Sequence, residues 1–173
     1  MKKLITKDLR QIELLKLGAP QIFVENIGKI EELKYRVENV DGAYFYLPTL
    51  SEYKILENLN IIPLFDEGNN FCVVAYNDNV KKIIRFELEN DKIYKDYGFN
   101  WQLLFFDIMF QYFEDQIDDH LSIVKFISVG NKIGFQYSDR LFHLLNLPVE
   151  EYNIKYENVE IWKKEITKEL KIW

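Results

Sequence analysis

The chain has 173 residues, 48% hydrophobic and 29% charged, with 22 basic and 28 acidic side chains and a net charge of -6. That composition excludes a disordered or collagen-like chain, and the length suits one domain with at most an appendage. A single cysteine excludes an internal disulfide framework, and net acidity argues against broad nucleic-acid binding, which needs a Lys/Arg footprint.

From the N-terminus, Met1-Lys2-Lys3 resembles the start of a signal peptide, but no apolar stretch follows, because Asp8, Arg10 and Gln11 interrupt it. A cytoplasmic location is the expectation. Thr6 or Asp8 opens a first helix to about Lys16, with Leu9, Ile12, Leu15 and Leu17 spaced for an apolar face. Gly18 and Pro20 stop it, and a short helical piece then runs toward Gly28. Residues 34–37 and 43–47 read as strands around the turn pair Asp41-Gly42. Pro48-Thr49 is expected to open another helix, carrying Tyr53, Leu56 and Leu59 on one side.

Three strands follow: residues 61–65, 71–76 and 82–88. Pro63 cannot donate to a ladder, so the first should be an edge or carry a bulge. In the third, Ile84, Phe86 and Leu88 should face inward and Arg85 and Glu87 outward. The short turns between them imply an antiparallel meander. Residues 89–100 read as a polar, tyrosine-bearing loop. Asn100 then opens the most apolar helix, residues 101–113, which should be buried on more than one side. It holds the longest apolar run, yet it is too short and polar to span a bilayer, so no membrane partner is expected. Asp118 or Asp119 should cap a segment at 121–132 that fits helix or strand equally, and helices at 138–145 and 159–171 close the chain. The expected fold class is α+β: an antiparallel sheet with helices packed on one face and around it, plus a C-terminal helical extension.

No catalytic motif stands out. Walker, dinucleotide-binding, zincin and nucleophile-elbow patterns are all missing. Cys72 sits in an apolar strand, where a buried small hydrophobe is the natural reading. Glu114, Asp115, Asp118, Asp119 and His120 form the densest oxygen-rich cluster, but capping accounts for Asp118 and Asp119 without a metal. The expectation is no metal, no cofactor and no enzyme activity.

The charge is unevenly placed. Residues 87–119 carry nine acids (Glu87, Glu89, Asp91, Asp96, Asp107, Glu114, Asp115, Asp118 and Asp119) against Lys92 and Lys95, a block of -7. The remainder has 20 bases and 19 acids. Such a block serves either solubility or an acidic face aimed at a basic partner. Tyrosines beside it supply interface area together with a hydroxyl. The candidate partner-binding residues are therefore Asp66, Glu67, Glu87, Glu89, Asp91, Tyr94, Tyr97, Glu114, Asp115, Asp118 and Asp119.

Residues 47–91 resemble the SUKH superfamily, which takes in bacterial immunity proteins and Smi/Knr-type cell-wall regulators. The similar elements are Leu47-Pro48 before Tyr53, the strand Ile62-Pro63-Leu64, the turn with Gly68 and Asn69, and the hydrophobic strand from Phe71 to Tyr76. The chain departs from the family at Glu57-Asn58-Leu59-Asn60, where an Asn-Gly is common. The resemblance implies a SUKH-like α+β domain over residues 1–118, with a helical extension at 119–173 on the same core. It further implies a protein-binding immunity protein that neutralises a cognate toxin domain, of nuclease type and basic. A regulatory module of the same fold with another protein partner is the alternative. Monomer or weak homodimer is the expected state.

Overall fold

A computed structural model of the chain describes residues 3–34, 42–50, 53–119 and 121–173. They fall into two compact units, residues 1–101 and 102–173. The division into these units falls at the start of the apolar helix.

The first unit is built on a five-stranded sheet of β1 (Lys3–Leu4), β2 (Asn60–Glu67), β3 (Asn70–Tyr76), β4 (Lys81–Glu87) and β5 (Ile93–Asp96), in that spatial order. Strands β2 to β5 pair antiparallel as the expected meander, and β1 pairs parallel to β2. One sheet face carries Ile61, Phe71, Val73, Ala75, Ile84 and Phe86 and packs with Ala43, Leu56 and Leu59 into one buried cluster. The alternate positions Ile62, Leu64, Cys72, Val74 and Ile83 are equally buried. Both faces being covered explains why these strands read as continuous apolar runs instead of strict alternation.

Pro63 sits where expected, at a register shift between Pro63 and Phe65. Helix α1 (Lys7–Lys16) completes that irregularity: Arg10 donates from Nε to the Pro63 carbonyl at 2.6 Å and from Nη2 to the Leu64 carbonyl at 2.7 Å. This use of Arg10 turns α1 the other way from expectation. Leu14 is fully buried, while Leu9, Ile12 and Leu15 stay exposed. Helix α2 (Gln21–Asn26) and a 3-10 turn, Glu31–Leu33, follow.

The strand expected at 34–37 and the turn residue Asp41 lie outside the described residues, apart from Lys34. Residues 43–47 are not a strand but part of α3 (Gly42–Leu50). The aromatic run Tyr44-Phe45-Tyr46 favours strand locally, but tertiary packing of fully buried Ala43 in the sheet cluster overrides that propensity. Gly42 is required at the entry, because a Cβ there would overlap the Asp66 carboxylate. The helix expected after Thr49 is reduced to a 3-10 turn, Lys54–Leu56. Strand β5 replaces part of the expected loop. Arg85 faces a buried environment at 3% exposure, correcting the outward assignment.

Helix α4 (Trp101–Gln116), whose residues from Gln102 on belong to the second unit, is continued by the 3-10 turn Ile117–Asp119. Residues 104–110 of α4 are all buried, consistent with its apolar sides. Next come α5 (Ile123–Ile133), α6 (Ser138–Leu145), α7 (Val149–Tyr156) and α8 (Val159–Leu170). The ambiguous segment at 121–132 is thus helical. Ser122, not Asp118 or Asp119, caps it by accepting from the Lys125 amide at 3.2 Å, and Gly134 ends it in the left-handed conformation. Helices α5 and α6 approach so closely at Gly130 that a Cβ would overlap the Ser138 hydroxyl. Aromatics knit the unit: Phe113 meets Phe126 and Phe142, and Trp162 meets Phe110 at 5.5 Å and Tyr152 at 5.3 Å. Lys163 lies 3.7 Å from the buried Asp107 and 4.5 Å from the Phe110 ring centre. Helix α7 was not foreseen.

Candidate functional site

The sheet register decides which of the candidate acids meet. Glu67 pairs with Asn70, and Asn70 pairs with Glu87, so the β2–β3 and β4–β5 turns lie at the same end of the sheet. The Leu88 amide donates to the Asn69 carbonyl at 2.8 Å and ties the two turns together. Gly68 supplies the positive φ the first turn needs, at 60°. Glu67, Glu87, Glu89 and Asp91, separated by up to 24 positions in sequence, are thereby gathered on one rim of the first unit.

Their roles differ. Glu67 is 14% exposed and forms an ion pair with Arg85, whose side chain is 4% exposed. Arg85 also lies 5.9 Å from the Phe65 ring centre. Asp91 is exposed, yet its carboxylate accepts from the Lys54 amide at 2.9 Å and the Ile55 amide at 3.1 Å, holding the 3-10 turn. Glu87 accepts from the Asn90 side chain at 3.0 Å. Glu89 is exposed at the turn itself. Burial first, then the negative charges of Asp91 and Glu89, raises the Tyr53 hydroxyl above its ordinary value. A shallow recess of about 280 Å³ opens beside this rim, lined by Glu87, Asn90, Lys92, Ile93 and Tyr94. Tyr94 is 62% exposed.

Two candidates point inward. Asp66 is 7% exposed and sits against Gly42 at the start of α3, where a carboxylate favours the helix N-terminus. Tyr97 is 2% exposed, and its backbone amide donates to Ile83. Both serve the interior of the first unit.

The remaining acids belong to the second unit, at the end of α4. Glu114 and Asp115 are half-buried and Asp118 is exposed. Glu114 faces two tyrosines of α7. Burial foremost, then Glu114 and Tyr156, raises the Tyr152 hydroxyl well above the ordinary range. For Tyr156 the Glu114 charge acts first, then a hydrogen bond to Glu114, then burial and Asp115. The side chain of Asp119 and the whole of His120 lie outside the described atoms.

Sequence reasoning missed Arg85, Asn90 and Ile93 as parts of this rim. The Asn90-Asp91 pair between two alternating segments was the signal for the β4–β5 turn. It also missed a recess of about 210 Å³ in the second unit, where Glu151, Lys155 and Glu165 surround Trp162 and Ile166. Among the described residues, no group of three or more His, Cys, Asp or Glu side chains is placed to hold a metal ion, and no helix is long and apolar enough to cross a membrane. Cys72 is buried. No family model, curated protein or solved structure matches the chain.

Proposed function

We propose that the chain is a protein-binding immunity protein of SUKH type, which neutralises a cognate basic toxin domain by direct contact. The observation that carries this reading is the rim where Glu87, Glu89 and Asp91 converge beside the exposed Tyr94, with Glu67 held there by Arg85. Carboxylates on a rim steer a basic surface into contact, and a tyrosine at its edge adds area at low entropic cost. A nuclease toxin carries positive potential to hold its polyanionic substrate, so an acidic rim is its complement. Glu114, Asp115 and Asp118 add a second acidic set on the other unit.

The test is to co-express the chain with any toxin-like domain found encoded next to it, and to follow growth rescue with binding measurements on the purified pair. Glu87→Lys with Glu89→Lys should slow association about tenfold or more at low salt and blunt its salt dependence. Rescue of growth and salt-sensitive capture support the reading. Association equally fast at low and high salt, and unmoved by the double reversal, would overturn it.

A further inference from the structure

Helix α1 leaves its expected apolar face open. Leu9 is 43% exposed, Ile12 51% and Leu15 39%, while Arg10 and Leu14 of the same helix are engaged inward. The three exposed side chains lie within one half of the helix surface, since spacings of three are neighbours. Asp8 and Lys16 are also exposed, each four residues from Ile12 along a single i±4 ridge. The ridge therefore reads acid, apolar, base, with Ile12 at its centre.

A two-fold axis makes such a ridge its own complement. With the two-fold axis passing at Ile12, the ridge of one copy runs antiparallel to the same ridge of the other. Ile12 then meets Ile12, and Asp8 of each copy faces Lys16 of the other. Leu9 and Leu15 flank the crossing on either side. Symmetric pairing of this kind needs only one patch that matches itself. Lys16 already pairs with Glu13 at 2.7 Å, but that exposed bond is weak and yields readily.

We infer that this face of α1 is a self-association surface, whose occupant is α1 of a second copy of the chain. Only three exposed apolar side chains per copy, Leu9, Ile12 and Leu15, meet in this contact, so the dimer is expected to be weak and to form at high concentration. It is independent of the proposed toxin-binding rim and stands or falls separately.

Sedimentation equilibrium on the full chain tests it, with circular dichroism confirming that each variant is folded. The parent chain should dimerise reversibly below about 1 mM, and more weakly at high salt. Ile12→Glu should abolish the dimer. Asp8→Lys or Lys16→Asp alone puts like charges opposite each other and should weaken it about tenfold. Mixing the two single variants should restore association, because each then supplies the charge the other lacks. The double variant should also recover, since its two charges have simply exchanged places. A parent chain that stays monomeric at about 1 mM overturns the inference, as does a double variant no tighter than the singles.

Discussion

Arg10 and Pro63 meet through a 2.6 Å hydrogen bond from guanidinium to carbonyl. Proline breaks the ladder, the register shifts, and the guanidinium, which reaches the next carbonyl as well, takes up two acceptors near the bulge.

Removing that fork should be costly. Arg10→Met leaves both carbonyls without this donor and should lower stability by about 2 kcal/mol. Arg10→Lys should recover little, since an ammonium lacks the planar two-pronged geometry. Urea unfolding of the three proteins gives the comparison; full recovery by lysine would show that charge alone matters.

Glu67 and Arg85 should behave as a coupled pair. Glu67→Ala deprives a guanidinium only 4% exposed of its carboxylate. The expected loss is about 3 kcal/mol, at the low end for buried pairs because Glu67 keeps some contact with water. Replacing both with methionine should cost less than Glu67→Ala. A double-mutant cycle in urea measures the coupling, and simple additivity would contradict it.

Alkaline stability should track Tyr152. Its native hydroxyl holds the proton more tightly than the unfolded one, whose ordinary value is 10.0. The native state therefore binds more protons above that value. The contribution is fully present below about pH 10 and is lost as pH rises toward the folded value. Tyr152→Phe keeps the ring contacts with Trp162 and Phe113 and should flatten the decline between about pH 9 and pH 11. Unfolding curves across that range supply the test; an unchanged slope would place the effect elsewhere.

Cys72 has no exposed surface. A thiol reagent should label the native chain far more slowly than the chain in denaturant. Rapid labelling of native protein would require the β3 strand to open readily.

The parts legible in sequence were those where local pattern and tertiary packing agree. Strands β2 to β4 carry apolar runs between turn residues, Pro63 marks its own irregularity, and Ser138–Leu145 has one strongly apolar side. Legibility failed where packing overrode the local signal. Tyr44-Phe45-Tyr46 is strand-prone, yet it lies in a helix anchored by buried Ala43. Arg85 looked solvent-facing because the carboxylate it meets lies 18 positions away. Strand β5 was hidden because Tyr94 has no register partner between Ile93 and Lys95, which breaks the alternation. Helix α7 buries only Tyr152, so little periodicity shows. Of the candidate site, composition gave the acids, but the turn register that gathers Glu67 with Glu87, Glu89 and Asp91 is a property of the sheet.

The parallel pairing of β1 with β2 bears on the order of assembly. Strands β2 to β5 are consecutive, so each hairpin closes over a short turn. Lys3, in contrast, meets Asn60, 57 positions away. Closing a longer loop costs more chain entropy, and two residues of pairing return little for it. The meander can form as soon as its own residues are available, and the first strand in the chain is then the last to join the sheet.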